Sequence, residues 1–170
     1  MRHVIPALCF LAMTFGCAGM PISPPAPSGG STPAPPGENP AAIAADVVRL
    51  TNDARTRNKL PPLRTSAKLM EAARIHAQQM ASHQRSDHTI SGAQYPTMQS
   101  RLQAVEYAYM QAAENVAWNQ SSAQAVLTSW MNSSGHRSNI LDAGLTEMGA
   151  AMARSSRGEP YWIQVFGRPR

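Results

Sequence analysis

Three residues of the chain have side chains that could act together in chemistry: His88, Glu114 and His136. Two imidazoles and one carboxylate are the ligand set of an open zinc site, which keeps a fourth position for water or substrate. The spacing alone does not bring them together, because no HExxH pair places two ligands on one helical face. In the alternative interpretation, Glu114 accepts hydrogen bonds from backbone donors at the start of a strand, and His136 caps or packs at the start of a helix. The residue types leave both interpretations open.

Other catalytic arrangements fit the sequence less well. Ser133 and Ser134 lie close to the second histidine, but there is no GxSxG elbow, and serines beside a histidine on a turn commonly cap a helix. A glycosidase would need a second acid across a cleft from Glu114. Glu106 and Glu147 are available, but nothing in the sequence brings either of them to that carboxylate.

The region between Glu114 and His136 predicts the elements that position them. Apolar side chains recur at four-residue spacing over Ala123–Met131, which predicts a helix with one buried face, with Ser122 or the serine before it as the N-cap. Small polar residues over Asn132–Gly135 predict a turn, and a second helix is expected to begin near His136. The two ends of one packed helix can therefore hold the carboxylate and the imidazole near each other.

The remaining periodicity predicts helices in the first part of the folded region and strands at its end, which is an α+β pattern. The predicted helices are Ala41–Arg57, a second from an N-cap at Thr65 or Ser66 to about His83, and a short one from Thr97 to about Tyr107. The predicted strands are Asn115–Trp118 and an antiparallel hairpin formed by Glu147–Arg154 and Tyr161–Phe166.

Two residues within these elements lead to predictions about packing. His76 lies on the apolar stripe of the second helix, where we expect a hydrogen-bonded core or boundary histidine and not a ligand. Gly149 and the alanines around it give the first hairpin strand small side chains. Such side chains predict that a helix packs closely over the strand.

The composition of the first forty residues indicates that the protein is exported. Residues 1–20 begin with a basic residue and continue with an apolar run too short to span a membrane, as in a secretory signal. The step before Cys17 is similar to a lipoprotein cleavage site, at which the cysteine would be acylated. The alternative is ordinary cleavage near Ala18 to Met20, which would remove Cys17. Residues 21–40 contain eight prolines and predict an extended linker. Residues 41–170 are then the folded domain.

The composition limits the chemistry and the binding partners that we expect for that domain. Both cysteines of the chain, Cys9 and Cys17, precede the predicted domain, so we expect it to contain no disulfide and no thiol catalyst. The net charge of +5 comes from basic residues scattered along the sequence. No basic run is interleaved with aromatics, so a nucleic-acid partner is not expected. Contact with a membrane is expected only through a lipid anchor at Cys17.

Five segments of the folded region together resemble the CAP superfamily, whose domain is also called the SCP domain. Members include cysteine-rich secretory proteins, antigen 5 and plant pathogenesis-related proteins, and the similarity is greatest to the bacterial branch. The segments occur in order over essentially all of residues 41–170. They are HTISG at 88, AENVAWN at 113, SWMNSSGHRSNIL at 129, TEMGAAMA at 146 and YWIQVFG at 161.

The resemblance implies a three-layer α-β-α sandwich, an extracytoplasmic location and a central cavity that can bind a divalent metal, often zinc. By position in the motifs, His88 and His136 match the two cavity histidines and Glu114 matches the cavity carboxylate. Fuller versions of the cavity have another glutamate shortly after the first histidine, whereas Ser91–Tyr95 contains no acid. Glu106 stands where a glycine commonly ends the third helix.

We therefore expect an exported CAP-domain protein that acts as a binding or interaction module at the cell envelope. Its ligand would be a lipid, a glycan or a protein, bound in a groove near His88, Glu114 and His136. The alternative is a zinc-dependent hydrolase with the two histidines as ligands and Glu114 as ligand or general base. A third hypothesis is a structural envelope protein in which these three residues only brace loops. Nothing in the sequence establishes enzymatic activity, because one fold hosts many functions.

Overall fold

A computed structural model describes residues 39–170, which form five helices and a four-stranded sheet. The predicted signal segment with Cys17, and nearly all of the predicted proline-rich linker, lie outside the described residues. The helices are α1 (Pro40–Arg57), α2 (Ala67–His83), α3 (Met98–Ala104), α4 (Ala123–Asn132) and α5 (Ser134–Ile140). The strands are β1 (Arg64–Thr65), β2 (Tyr109–Trp118), β3 (Glu147–Arg154) and β4 (Pro160–Pro169).

The strands lie in the order β1-β3-β4-β2, so β2 forms one edge of the sheet. β4 pairs antiparallel with both β3 and β2, which confirms the predicted hairpin, whereas β1 runs parallel to β3. β1 was not predicted because two residues are too few to show a pattern. β2 begins at Tyr109, six residues before the predicted strand, because its first half shows no clean alternation of buried and exposed side chains.

Helices cover both faces of the sheet. In β4, Trp162 and Phe166 pack with α1, α4 and α5 in one apolar cluster, while Tyr161, Ile163 and Val165 pack with α2 and α3 in another. Alternate side chains of a strand point to opposite faces, so one buried strand supplies both clusters. The α+β class and the three-layer α-β-α sandwich are confirmed, with a sheet that is antiparallel except at β1.

Close packing of α2 on β3 depends on Gly149. A Cβ at this position would overlap the backbone of Leu69 and Met70 in α2. The prediction that small side chains let a helix approach this strand is therefore correct. On the opposite face of β3, the larger Met148 and Met152 fill the cluster under α1 and α4.

Helix ends largely follow the predicted caps. Ser66, Thr97 and Ser122 accept hydrogen bonds from the backbone at the starts of α2, α3 and α4. α4 extends to Asn132 and α5 begins at Ser134, two residues earlier than predicted, so only Ser133 of the predicted turn is not helical. Glu106, at the position where the resemblance led us to expect glycine, adopts a left-handed backbone conformation with φ 54° just after α3.

Candidate functional site

Glu114 lies at the centre of a polar cluster at the β2 edge of the sheet. Its carboxylate is 5% exposed and points from β2 toward the layer formed by α2 and α3. Nη2 of Arg101 donates to both carboxylate oxygens, at 3.1 and 3.2 Å, and Nδ1 of His88 lies 2.9 Å from Oε1. The carboxylate is therefore held by two side chains and not by the backbone donors of the alternative interpretation, whereas His136 does lie at the start of a helix, as that interpretation expects.

Arg101, on α3, connects this carboxylate to the loop that precedes the helix. The guanidinium is 1% exposed and donates to the backbone carbonyls of His88, Tyr95 and Pro96 as well as to Glu114. Hydrogen bonds from a charged group are stronger than those between neutral groups. One buried cation thus fixes both ends of the loop that carries His88, and sequence reasoning missed it because nothing in the sequence marks this arginine.

The charges around Glu114 determine its protonation. Burial alone would raise the pKa of Glu114, but the hydrogen bond with His88 and the charge of Arg101 hold that pKa below its usual value. The same hydrogen bond raises the pKa of His88, although partial burial opposes it. The pKa of Arg101 is lowered by burial, against the attraction of Glu114. The site therefore pairs an ionised carboxylate with a histidine that protonates more readily than a free one.

His76, on α2, lies beside this cluster and is fully buried. Its Nε2 is 3.9 Å from Oε1 of Glu114, beyond hydrogen-bonding distance, and neither ring nitrogen has a partner within the described chain. The core location agrees with the prediction, and no group in residues 39–170 meets hydrogen-bonding geometry at either ring nitrogen. Burial lowers the pKa of His76 to about 4, although the backbone of Asp87 lies close enough to oppose this slightly, so the ring is neutral at physiological pH.

His136 lies in the first turn of α5, on the other side of β2. No hydrogen bond joins its ring to His88 or Glu114 in the part of the chain that the structure describes. Burial lowers the pKa of His136, and the charge of His88 lowers it further, so the two histidines interact electrostatically. The structure brings His88 and Glu114 into direct contact and leaves His136 as a half-buried neighbour at the same edge of the sheet.

A buried amide network fixes the backbone of His136. Nδ2 of Asn115 donates to the carbonyl of His136 and to the side chain of Gln164, both at 3.1 Å. Asn139 donates to the Oδ1 of Asn115 at 2.9 Å, and Gln164 donates to Thr51 of α1 at 2.6 Å. Asn115, Gln164 and Thr51 are each 0% exposed. The network therefore joins α1, the edge strand β2, its neighbour β4 and α5.

The sequence contained only a partial signal for this network. Asn115 directly follows Glu114 in the AENVAWN segment, and neighbours on a strand point to opposite faces. Glu114 therefore contacts α3 on one face while Asn115 reaches α5 on the other. Two adjacent polar residues in a strand of a three-layer fold must each find partners in a different layer.

The described residues bear on the predicted metal site. Within residues 39–170, no group of three or more His, Cys, Asp or Glu side chains has an arrangement that would hold a metal ion. Both oxygens of Glu114 accept from Arg101, and a cation so close disfavours a second cation on the same carboxylate. As arranged, Glu114 does not fit as a direct zinc ligand. The zinc prediction for His88, Glu114 and His136 stays a prediction.

The other acids that the sequence offered as partners lie elsewhere. Glu147 accepts from Tyr107 at 2.9 Å and forms an ion pair with Arg64 at 2.6 Å. The hydrogen bond is buried, and burial together with that bond raises the pKa of Tyr107. The hydrogen bond and ion pair of Glu147 within residues 39–170 thus go to Tyr107 and Arg64 and not to Glu114.

Comparisons with known proteins support one family. Residues 48–166 match the model of the CAP (cysteine-rich secretory protein) family. The uncharacterized protein YkwD of Bacillus subtilis (strain 168) is 34% identical over 129 residues, which is 74% of this chain and 47% of that relative. The chain thus spans about half the length of YkwD.

Solved structures show the same fold. An extracellular protein of Bacillus anthracis str. Ames that contains an SCP domain superposes with a TM-score of 0.67 at 28% identity, over 76% of this chain and 41% of that one. An outer surface protein of Borrelia burgdorferi superposes with a TM-score of 0.66 at 17% identity, over 73% of this chain and 90% of that one. No helix within residues 39–170 has both the length and the apolar character needed to cross a bilayer. The chain belongs to the cysteine-rich secretory protein family, and it is a bacterial-type CAP domain.

Proposed function

We propose that this protein is exported and acts at the bacterial cell envelope as a binding module, with His88 as the contact residue of its site. The observation that carries the proposal is the fixed orientation of a half-exposed imidazole. The His88 side chain is 55% exposed, yet its Nδ1 is tied to a carboxylate that Arg101 holds in place. A ligand then meets an oriented Nε2 without having to order the ring, which lowers the entropic cost of binding.

His136 completes the proposed site from the opposite side of β2. Asn115 binds its backbone carbonyl, and burial together with the charge of His88 lowers the pKa of its ring. Both imidazoles are neutral or cationic, and the two carboxylates that act on His88 are each paired with an arginine: Glu114 with the buried Arg101, and Asp87 with the exposed Arg85. The site thus offers hydrogen-bond donors and acceptors from two histidines, and a ligand with its own acceptor and donor groups suits it.

The same geometry gives less support to the hydrolase alternative. A general base works best when its pKa lies near the operating pH. The pKa of Glu114 is held below its usual value by the hydrogen bond with His88 and by Arg101, although burial opposes them. Glu114 is therefore a weak base, and we assign it the role of orienting His88.

The envelope location is supported by the predicted signal segment and by the related Bacillus anthracis protein, which is described as extracellular. Expression of the chain with its own leader, followed by fractionation, tests export. We expect the protein outside the cytoplasmic fraction, and a shift from membrane to soluble envelope fractions in Cys17→Ser if Cys17 is acylated. Retention in the cytoplasm would contradict the proposal.

Binding is tested by co-sedimentation of the purified protein with isolated cell envelopes over a range of envelope concentrations. His88→Ala and His136→Ala are expected to weaken the apparent affinity about tenfold, a loss of about 1.4 kcal/mol. Thr56→Ala is the control, because Thr56 is exposed in the last turn of α1 and makes no side-chain contact with the cluster within the described residues. Equal sedimentation of all three variants and the parent would contradict a role for the two histidines.

The metal prediction is tested separately, by calorimetric titration of the same protein with zinc chloride. Saturable binding that disappears in the double variant His88→Ala/His136→Ala would support zinc at the two imidazoles. Binding that survives in this double variant would contradict it. Melting temperatures of all variants should be measured first, so that loss of fold is not mistaken for loss of a ligand.

A further inference from the structure

A second groove lies away from the histidine cluster, with a volume of about 920 Å³. One wall is the outer face of α2, and the other is formed by residues 92–95 and the end of α3. Cavities of several hundred Å³ are the size at which proteins hold small ligands. None of His88, Glu114 and His136 lines this groove, so it is independent of the site proposed above.

Of the charged side chains that line the groove, Arg74 and Glu71 neutralise each other, and Lys68 binds a backbone carbonyl. Arg74 forms an ion pair with Glu71, with Nη2 2.6 Å from Oε1, and donates from Nη1 to Oε1 of Gln78 at 2.9 Å. Lys68 donates from Nζ to the carbonyl of Glu106 at 2.7 Å. An anionic polymer is recognised by clusters of unpaired cations, and this groove does not offer one within the described residues. The ligand that fits its charge is neutral.

The hydrogen-bonding groups that remain available are neutral amides and an imidazole. The side chain of Gln79 lines the groove, and its buried Oε1 has no hydrogen-bond partner in the described chain, so rotation of the amide would let it accept from a ligand donor. The amide nitrogen of Gln78 and the amide oxygen of Gln94 make no hydrogen bond within residues 39–170, and Nε2 of His83 is likewise available. Amide groups both donate and accept hydrogen bonds, as sugar hydroxyls do.

Between these polar groups the groove presents apolar surface. Ile75, Ala93 and Val105 contribute small and branched apolar side chains to its lining, and Tyr95 contributes an aromatic ring. The hydroxyl of Tyr95 accepts from Nε2 of Gln94 at 3.1 Å, which restrains the ring. Gly92 has no neighbour within 4 Å of the position of a Cβ, so the wall beside Tyr95 is open. An amphipathic aromatic ring beside amides matches a sugar, which has an apolar face and a polar rim.

We propose that this groove binds a short stretch of neutral oligosaccharide. A lipid chain would require a continuous apolar lining, but the walls alternate apolar and polar residues. An extended peptide commonly binds by pairing with the free edge of a sheet, and both walls here are helix and loop. The groove therefore gives the protein a second binding site, for a neutral sugar chain, in addition to the histidine cluster.

Calorimetric titration of the full chain with chitotetraose and with cellotetraose tests the proposal. Saturable binding of at least one of them is expected, with affinity reduced about tenfold or more in Tyr95→Ala and in Gln79→Leu. Tyr95→Phe keeps the ring and is expected to bind nearly as well as the parent, which separates stacking from loss of fold. Trp118→Ala is the control, because Trp118 is 45% exposed and does not line the groove.

Three outcomes would overturn the proposal. The first is no saturable binding of either sugar at concentrations up to about 1 mM. The second is binding that Tyr95→Ala and Gln79→Leu leave unchanged while both variants stay folded. The third is binding of a tetramer of galacturonic acid in place of the neutral sugars. Because the assay does not involve His88 or His136, failure here leaves the proposed function intact.

Discussion

Arg101 on α3 and Glu114 on β2 form a buried ion pair, in which one guanidinium nitrogen lies 3.1 Å from one carboxylate oxygen and 3.2 Å from the other. The two side chains are 1% and 5% exposed. A buried charge that loses its partner is much more costly than an exposed one, because water cannot replace the lost interaction. This pair is therefore the point at which the stability of the domain and the geometry of its site are coupled.

Arg101→Met should destabilise the protein by about 3 to 5 kcal/mol, because it leaves the Glu114 carboxylate buried without its cation. The free energy of unfolding in urea is the measurement. Arg74→Met is the matched control, since its ion pair with Glu71 is exposed and should contribute less than about 1 kcal/mol. The double variant Arg101→Met/Glu114→Gln should recover part of the loss. Equal effects of the two arginine substitutions would show that the buried pair is not formed.

His76 should make the protein less stable in acid. Its pKa is lowered to about 4 by burial, whereas a histidine in the unfolded chain titrates near 6.5. Below about pH 6.5 this histidine is protonated in the unfolded chain but stays neutral in the folded chain. The free energy of unfolding therefore falls as the pH drops toward 4. The difference between the pKa values of His76 in the unfolded and folded chains corresponds to about 3 kcal/mol in the free energy of unfolding. Above about pH 6.5 the ring is neutral in both states, so His76 no longer makes the free energy of unfolding depend on pH.

His76→Leu should remove this acid-sensitive component, which comparison of urea unfolding at pH 7 and pH 5 will reveal. Because neither nitrogen of the ring has a partner in the described chain, an apolar side chain of similar size should be tolerated at pH 7. The exposed His83 provides the control substitution, His83→Leu. A large loss of stability in His76→Leu at pH 7 would mean that the imidazole makes a stabilising bond after all.

Asn115→Leu should destabilise the protein by about 1 to 3 kcal/mol, because the side chains of Gln164 and Asn139 and the carbonyl of His136 each lose a buried partner. Substitution of the exposed Asn132 by Ala should change stability by about 0.5 kcal/mol at most. Amide hydrogen exchange should increase in α5 for Asn115→Leu only. Unchanged exchange in α5 would show that the network does not hold that helix.

Two glycine-to-alanine substitutions should have opposite effects. At Gly149 the new Cβ would overlap the backbone of α2, so Gly149→Ala should cost about 1 to 3 kcal/mol or more. At Gly135, inside α5, the Cβ would meet nothing within 4 Å, so Gly135→Ala should stabilise the helix by up to about 1 kcal/mol. Thermal unfolding compares the two. A stable Gly149→Ala protein would contradict the close packing of α2 on β3.

Much of the fold could be predicted because its elements have local signals. The N-caps at Ser66, Thr97 and Ser122 lie where a serine or threonine precedes a periodic apolar run. β1 was missed because its two residues gain their structure from pairing with β3 and not from their own pattern. The early start of β2 was missed for a related reason, since that half of the strand is specified by its pairing with β4.

The site was only partly predictable. His88 and Glu114 were singled out by their residue types and by the resemblance, and the structure brings them into contact. Arg101 was not singled out, because an arginine in a short helix usually faces solvent. Its burial depends on the carboxylate and the loop carbonyls that surround it, which come from distant parts of the chain. Partners brought together only by tertiary structure leave no mark in local sequence.

The hydrogen bond between Nδ1 of His88 and Glu114 is tested most directly by an NMR titration of the His88 ring in the parent protein and in Glu114→Gln. The bond favours the protonated imidazole, so the pKa of His88 should lie above 6.5 in the parent and fall in the variant, where a neutral amide replaces the carboxylate. Identical titration of His88 in the two proteins would contradict the account, because the carboxylate would then not be what orients the exposed ring.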